Sequence, residues 1–325
     1  MTAASTVIDL VTGGWRAQAV YTAVKLRLPD HIEAGHTTDM DLAAASGAKE
    51  DGIHRLMRLL VAMKVFTGNE FGYRNTDVSR ALLDRPGSQR DMCLLYGEEF
   101  YTAWGHAAEA VSTVSSGFEI AYGKPVYAYF TEDRAAAERF QGAMRAGNLF
   151  FEAVPGVFPF AGKRVVDLGG GSGQLLGAIL AAEPSARGVL LDLPNVVAAA
   201  RLADFGDRVE LIGGDMFASV PPGGDVYLLC RVLAGHPDDS VVALFSAIRR
   251  NLAGSARLLL LDRLVVDEGS TVLPALWDLH LLMTTGGRHR SLAHLRTLLD
   301  RAGLEIECAA DLPVETTALI VRTRE

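Results

Sequence analysis

Cysteine is scarce: Cys93, Cys230 and Cys308 are the only three in 325 residues, and none stands near another. An odd number of isolated thiols supports neither a disulfide framework nor the paired spacing of a zinc or redox motif, so they read as reduced and structural. No run of 18 apolar residues is present, which excludes an expected membrane-spanning helix. The first residues carry Asp9, Gly13 and Gly14 where a signal peptide needs a basic start and an unbroken apolar core, so the expected compartment is the cytoplasm. Sustained Lys/Arg blocks are missing as well, and the formal net charge is −8, so the field repels phosphate backbones and nucleic acid is not an expected partner. What remains is 49% hydrophobic and 22% charged, enough apolar material for one large or two moderate globular domains.

The most informative stretch is Arg164-Val-Val-Asp-Leu-Gly-Gly-Gly-Ser-Gly-Gln174. Val165, Val166 and Leu168 supply the bulk of a buried strand that carries Asp167 near its end. Gly169, Gly171 and Gly173 then form a turn into a helix, where backbone can approach a ligand that a Cβ would meet. The spacing is Gly-x-Gly-x-Gly, with Gln174 three residues after Gly171, which departs from the dinucleotide fingerprint. About 20 residues further on, Gly188-Val-Leu-Leu-Asp192 is a second strand ending in an acid, placed to accept hydrogen bonds from both hydroxyls of a ribose. A third, Val209-Glu-Leu-Ile-Gly-Gly-Asp215-Met216, also ends in an acid. One glycine loop is weak evidence, whereas three successive acid-tipped strands point to a nucleotide-like ligand.

These motifs resemble the S-adenosylmethionine site of class I methyltransferases, and more narrowly the large O-methyltransferase family of plant phenolic and bacterial natural-product enzymes. The resemblance extends to Trp104-Gly, to Phe118-Glu-Ile-Ala-Tyr-Gly-Lys-Pro125, to Arg231-Val-Leu with Pro237-Asp-Asp, and to Gly286-Gly-Arg-His-Arg-Ser291, covering nearly the whole chain. It implies a Rossmann-like α/β fold with a doubly wound, mostly parallel seven-stranded sheet and an antiparallel last strand, plus an N-terminal helical winged-helix dimerisation domain. The expected division is residues 1–90 for dimerisation, 91–158 for a helical linker lining the substrate pocket, and 159–325 for cofactor binding.

The residues agree with that outline. Trp15, Val20, Val24 and Leu26 to Leu28 are spaced for an amphipathic helix that Pro29 stops. Asp39 to Gly47, then Glu50 to Lys64 with Ile53, Leu56, Leu59, Leu60 and Met63 on one face, predict helix, turn, helix. Two short strands around Gly68-Asn69-Glu70 complete a winged-helix pattern. A DNA-binding regulator is the rival reading of this segment, which the acidic surroundings oppose; the resemblance implies a homodimer instead. From residue 160 strands alternate with helices, predicting a parallel sheet, and Leu304 to Cys308 and Thr317 to Val321 are joined by too few residues for a crossover, predicting an antiparallel pair.

For the cofactor, the resemblance assigns Asp167 to the α-amino group, Gly169 and Gly171 to the cradle, Asp192 with Leu193 to the ribose, Asp215 with Met216 to adenine, and Arg231 to the vicinity of the sulfonium. Trp104, Phe140, Met144, Asn148, Trp277, His280 and Met283 suggest an apolar slot for a small aromatic or heteroaromatic substrate. The proton is the open question, because a phenol with pKa near 10 lies roughly three units from ionised at pH 7, worth about 4 kcal/mol. In the family the base is a histidine directly after Arg-Val-Leu; here that position is Ala234, and a histidine stands at His236 in place of the family tryptophan. The supporting acid matches Asp262, and the second supporting acid is replaced by His289, so His236, Asp262 and His289 are the catalytic candidates. Three explanations remain open: a nucleophile that needs no strong base, a proton taken by His236 or His289 from a new direction, or a site turned to other chemistry. That last includes a non-methylating reaction, or C-methylation with a metal held by His236 and His280.

Overall fold

The computed structural model describes residues 2–130, 132, 134–266 and 268–324, without the side chains of 134 and 135. The chain divides into two compact units, Met1–Glu109 with Gly117–Asn148, and Ala110–Ser116 with Leu149–Glu325.

In the first unit the helix Gly13–Lys25 buries Ala19, Ala23 and Val24, while Trp15 is 69% exposed and lies off that face. Pro29 does not end this helix. The chain breaks at Arg27, whose φ of 55° is left-handed, and Pro29 sits in the first turn of the next helix, Leu28–Glu33, where its missing N–H costs nothing. Thr38 caps the helix Asp39–Ser46 by accepting from the Asp41 amide at 3.1 Å, and Gly47 closes it at φ 72°. The helix Glu50–Ala62 buries Ile53, Met57 and Leu60, the i, i+4, i+7 pattern; Leu59 falls outside that stripe and is 41% exposed. A hairpin of β1 (Phe66–Asn69) and β2 (Gly72–Asn75) follows, closed by the pair Asn69↔Gly72, so the two-residue turn is Glu70-Phe71, slightly beyond the expected place. Tyr73 donates to Asp39 Oδ1 at 2.7 Å and Asn75 to the Pro29 carbonyl at 2.9 Å, tying the wing to the helices. Further along the unit, aromatics pack on one another rather than standing free: Phe130 stacks on Phe140 at 4.6 Å, and Phe118 meets Phe100 edge-on at 6.2 Å.

The second unit is built on seven strands: β3 (Arg164–Leu168), β4 (Arg187–Asp192), β5 (Val209–Gly213), β6 (Val226–Cys230), β7 (Arg257–Asp262), β8 (Leu304–Leu312) and β9 (Thr316–Thr323). Their order is β8-β9-β7-β6-β3-β4-β5, with β9 antiparallel to both β7 and β8 and the pairs among β3 to β7 parallel. The period of two is plain in the packing. Val166, Leu168, Leu229 and Leu260 face one core, and Val165, Leu190, Leu228 and Leu259 face the other, so helices cover both sides. Reversal of strand order between β3 and β6 puts a crevice at the carboxyl ends of these two strands.

One feature of the chain escapes the sequence pattern. The strand β7 ends at Asp262, and Leu264–Val265 just beyond it pairs in parallel with Arg290–Ser291. That two-residue ladder draws the loop 286–290 to the tip of β7.

Candidate active site

The glycine turn after β3 is set by backbone geometry. Gly169 and Gly171 have φ of 68° and 62°, a region that L side chains avoid. A Cβ on Gly169 would also lie 2.9 Å from Val232 Cγ1 and 3.4 Å from Met216 Sδ, whereas one on Gly171 would meet nothing within 4 Å. The crevice is therefore tight at Gly169, where Met216 flanks it, and open at Gly171.

Asp192 organises this turn from the neighbouring strand. Its Oδ2 accepts from the Gly171 amide at 2.8 Å and its Oδ1 from the Leu193 amide at 2.7 Å, which fixes the carboxylate at the edge of the open part. Leu193 itself is 52% exposed beside it. At the third tip, Asp215 Oδ1 accepts from the Phe217 amide at 2.9 Å, an Asx turn that leaves the other oxygen outward.

Asp167 is a different kind of acid. It is fully buried beneath the turn, where a Cβ on Gly170 would stand 2.4 Å from its Oδ2, and among the described residues neither carboxylate oxygen has a hydrogen-bond partner. Burial, with the nearby Asp192 carboxylate adding to it, pushes its pKa up to about 7. An unsatisfied buried acid under a glycine cradle suits a cationic ligand above it. The unfolded chain ionises this group near pH 4 and the folded chain near 7, so between them folding takes up a proton. Stability of the ligand-free protein should fall as pH rises through that window, by at most about 4 kcal/mol. Asp167→Asn should narrow the difference between melting temperatures at pH 5 and pH 8; an unaltered difference would contradict this account.

Beyond β6, Arg231 has a left-handed φ of 54° and lays its guanidinium over Phe150 and Phe151, 5.1 and 6.0 Å from the ring centres. The next turn is clamped by Arg290, a buried residue that sequence reading gave no role. It donates to the carbonyls of Leu233 at 2.8 Å and His236 at 2.6 Å and to Asp238 at 2.9 Å. Burial pushes Asp238 upward, but hydrogen bonds from Arg290 and His294 outweigh it and hold its carboxyl below the usual range.

His236 stands on this clamped turn. Its ring packs on Phe217 at 4.5 Å, and burial first, then Arg290, lowers its pKa against the opposing influence of Asp215. Asp262 and His289 do come together: His289 Nδ1 lies 3.6 Å from Asp262 Oδ1, and the His289 amide donates to Asp278 at 2.6 Å. Ala234 lies at the same place, since its carbonyl accepts from the Arg288 amide at 3.0 Å and a Cβ on Gly287 would approach that oxygen to 2.6 Å.

On the helix Val272–Thr285, Trp277 meets His280 edge-on at 5.6 Å. Burial, then Arg263 and His289, lower the His280 pKa to about 4, so its imidazole is neutral at pH 7. Met283 is fully buried and seats the helix instead of presenting surface. Trp104 and Asn148 are half-buried in the first unit, Met144 is 37% exposed there, and Phe140 is taken up by its stack on Phe130. Among the described residues no three His, Cys, Asp or Glu side chains gather as a metal-holding group.

Residues 104–305 match the O-methyltransferase domain and residues 8–85 the O-methyltransferase dimerisation domain. The chain is 44% identical to phenazine-1-carboxylate N-methyltransferase of Pseudomonas aeruginosa, over 98% of this chain and 97% of that protein. It is 36% identical to 3-amino-4-hydroxybenzoate 4-O-methyltransferase of Streptomyces cremeus, over 99% and 91%. The solved structure of the pyocyanin biosynthetic protein PhzM superposes with a TM-score of 0.91 at 44% identity, covering 99% of both chains. With its acid-tipped strands, glycine turn and reversed final hairpin, this chain belongs to the O-methyltransferase family and is an S-adenosylmethionine-dependent methyltransferase.

Proposed function

We propose that the protein is a cytoplasmic homodimer that methylates oxygen or nitrogen of a small aromatic or heteroaromatic natural product, the two relatives above being named for aromatic carboxylates. In this reading residues 1–90 serve dimerisation, 91–158 contact the acceptor, and 159–325 hold the cofactor. Among the described residues no helix is long and apolar enough to cross a membrane.

S-adenosylmethionine, when bound, supplies an activated methyl group on a sulfonium. Asp192 and Leu193 would hold its ribose, Asp215 and Met216 its adenine, and Asp167 with Gly169 and Gly171 its amino-acid end; Arg231 borders that region. The chain's own contribution to the chemistry is alignment and, where the acceptor carries a proton, its removal. The observation that carries this reading is Ala234 at the family's base position with the Asp262–His289 pair, 3.6 Å apart, at the tip of β7. His289 is assigned as the base for hydroxyl or amine acceptors, Asp262 as the carboxylate that orients it, and His236 to the adenine wall. A ring nitrogen with a free lone pair needs no such help. An acceptor panel that separates phenols from ring nitrogens, read by S-adenosylhomocysteine release, tests the assignment; no release with any aromatic acceptor would overturn it and favour a non-methylating reaction.

A further inference from the structure

We propose that Arg290, through Asp238 and two backbone carbonyls, is a positioning residue that sets the approach of His289 to Asp262; this rests on the proton-handling role given to that pair above and adds what holds it in place. At 3.6 Å the two side chains make no hydrogen bond, and His289 Nδ1 is buried with no hydrogen-bond partner among the described residues. Their separation is therefore fixed by the chain that carries them and not by their own contact. Asp262 ends β7, an interior strand of the sheet, so the loop 286–290 that carries His289 is the member whose place has to be set.

His289 stands between two tied residues. On one side the Arg288 amide donates to the Ala234 carbonyl at 3.0 Å, and Gly287 runs so close that a Cβ there would lie 2.6 Å from that oxygen. On the other side Arg290, 4% exposed, directs its whole fork at the turn after β6. Nη1 donates to the Leu233 carbonyl at 2.8 Å, Nη2 to the His236 carbonyl at 2.6 Å and to Asp238 Oδ1 at 2.9 Å, and Nε to that same Oδ1 at 3.0 Å. Asp238 is itself held, since its Oδ2 lies 2.8 Å from His294 Nε2 and accepts from Arg288 at 3.2 Å. A buried guanidinium satisfied by two carbonyls and a carboxylate fixes direction as well as distance, which a single ammonium does not. The gripped turn follows β6, the parallel neighbour of β7, so both members of the pair are referred to adjacent strands. Misplacement of a reacting group by about 1 Å costs on the order of 100-fold in rate, so loosening this grip is felt first in the proton step.

The test is a double-mutant cycle of Arg290→Gln and His289→Ala, read as kcat and KM from S-adenosylhomocysteine release, with 3-amino-4-hydroxybenzoate as the phenolic probe and phenazine-1-carboxylate as the ring-nitrogen probe. Arg290→Gln should lower kcat on the phenol by about ten- to thirtyfold while KM stays within about threefold, and should lower the phenol-to-ring-nitrogen ratio of kcat by about tenfold. In the His289→Ala background the same change should cost the phenol less than about threefold, because no imidazole is left to place. Asp238→Asn keeps an oxygen for the fork but loses the charge, and should show the same pattern at about three- to tenfold; Arg290→Lys should fall between Arg290→Gln and the wild type. Losses that multiply across the cycle, or that fall equally on both probes, would assign Arg290 to general support of the fold and overturn the proposal. Melting temperature identifies a variant that fails to fold, and Asp238→Asn then carries the cycle in place of Arg290→Gln. Failure of the underlying reading looks different. A His289→Ala protein that keeps its phenol rate, or a wild type that methylates the ring nitrogen alone, removes the proton role of the pair and the positioning role with it; release with neither probe removes methyl transfer to aromatic acceptors altogether.

Discussion

Asp192→Ala should weaken S-adenosylmethionine binding by about 1.5 to 3 kcal/mol, roughly ten- to 150-fold in Kd. Two losses combine. The ribose loses a charged acceptor, and the amides of Gly171 and Leu193, now held at 2.8 and 2.7 Å, lose the group that orders the turn. Asp192→Asn keeps one carbonyl oxygen for those amides and should fall between. Calorimetric titration of the three proteins at one pH and salt concentration gives the ranking; equal affinities would remove the ribose assignment. Asp215→Ala should cost less, since one Asp215 oxygen is committed to its own Asx turn and the carboxylate is exposed.

His289→Ala should reduce kcat on a phenolic acceptor by about 100-fold or more, the size usual for loss of a positioned general base, while a ring-nitrogen acceptor changes by less than about threefold. S-adenosylmethionine affinity should hold in both cases, because His289 belongs to the β7 tip and not to the glycine turn. Asp262→Asn should follow the same pattern with a smaller loss, since it frees the imidazole to turn without removing it. The converse change is informative too. Ala234→His restores the family's residue and should raise the phenol rate of the His289→Ala protein; no recovery would indicate that the proton leaves by another route. A uniform loss over both acceptor types would mean that His289 supports the loop and handles no proton.

The sheet was legible in the sequence because β3, β4 and β7 are short apolar runs with an acid at or near the end, and the glycine turn between β3 and its helix has few alternative readings. The reversed hairpin was legible too, since the residues between the strands expected at Leu304 to Cys308 and Thr317 to Val321 are too few for a crossover; the observed strands are longer and leave three residues between Leu312 and Thr316. Side-chain direction in the loops was not. His236 is two residues from the family's base position, and its ring packs on Phe217 while Arg290, 54 residues later, holds its carbonyl. No local pattern announces Arg290, and the Leu264–Val265 ladder that delivers it is only two residues long. In the first unit, Pro29 was read as a stop although its fixed φ suits a first helical turn equally well; the left-handed Arg27, which decides the matter, carries no compositional signal. The aromatics near Phe140 show the limit of residue type alone, since a ring at helical spacing fits a core stack and an acceptor wall alike.

A calorimetric titration of the purified wild-type protein with S-adenosylmethionine, repeated with S-adenosylhomocysteine, bears most directly on the carboxylates gathered around the glycine turn. Saturable binding of one molecule of each per chain, weakened by Asp192→Ala, is the predicted result. Absence of heat and of thermal shift with both compounds would contradict it.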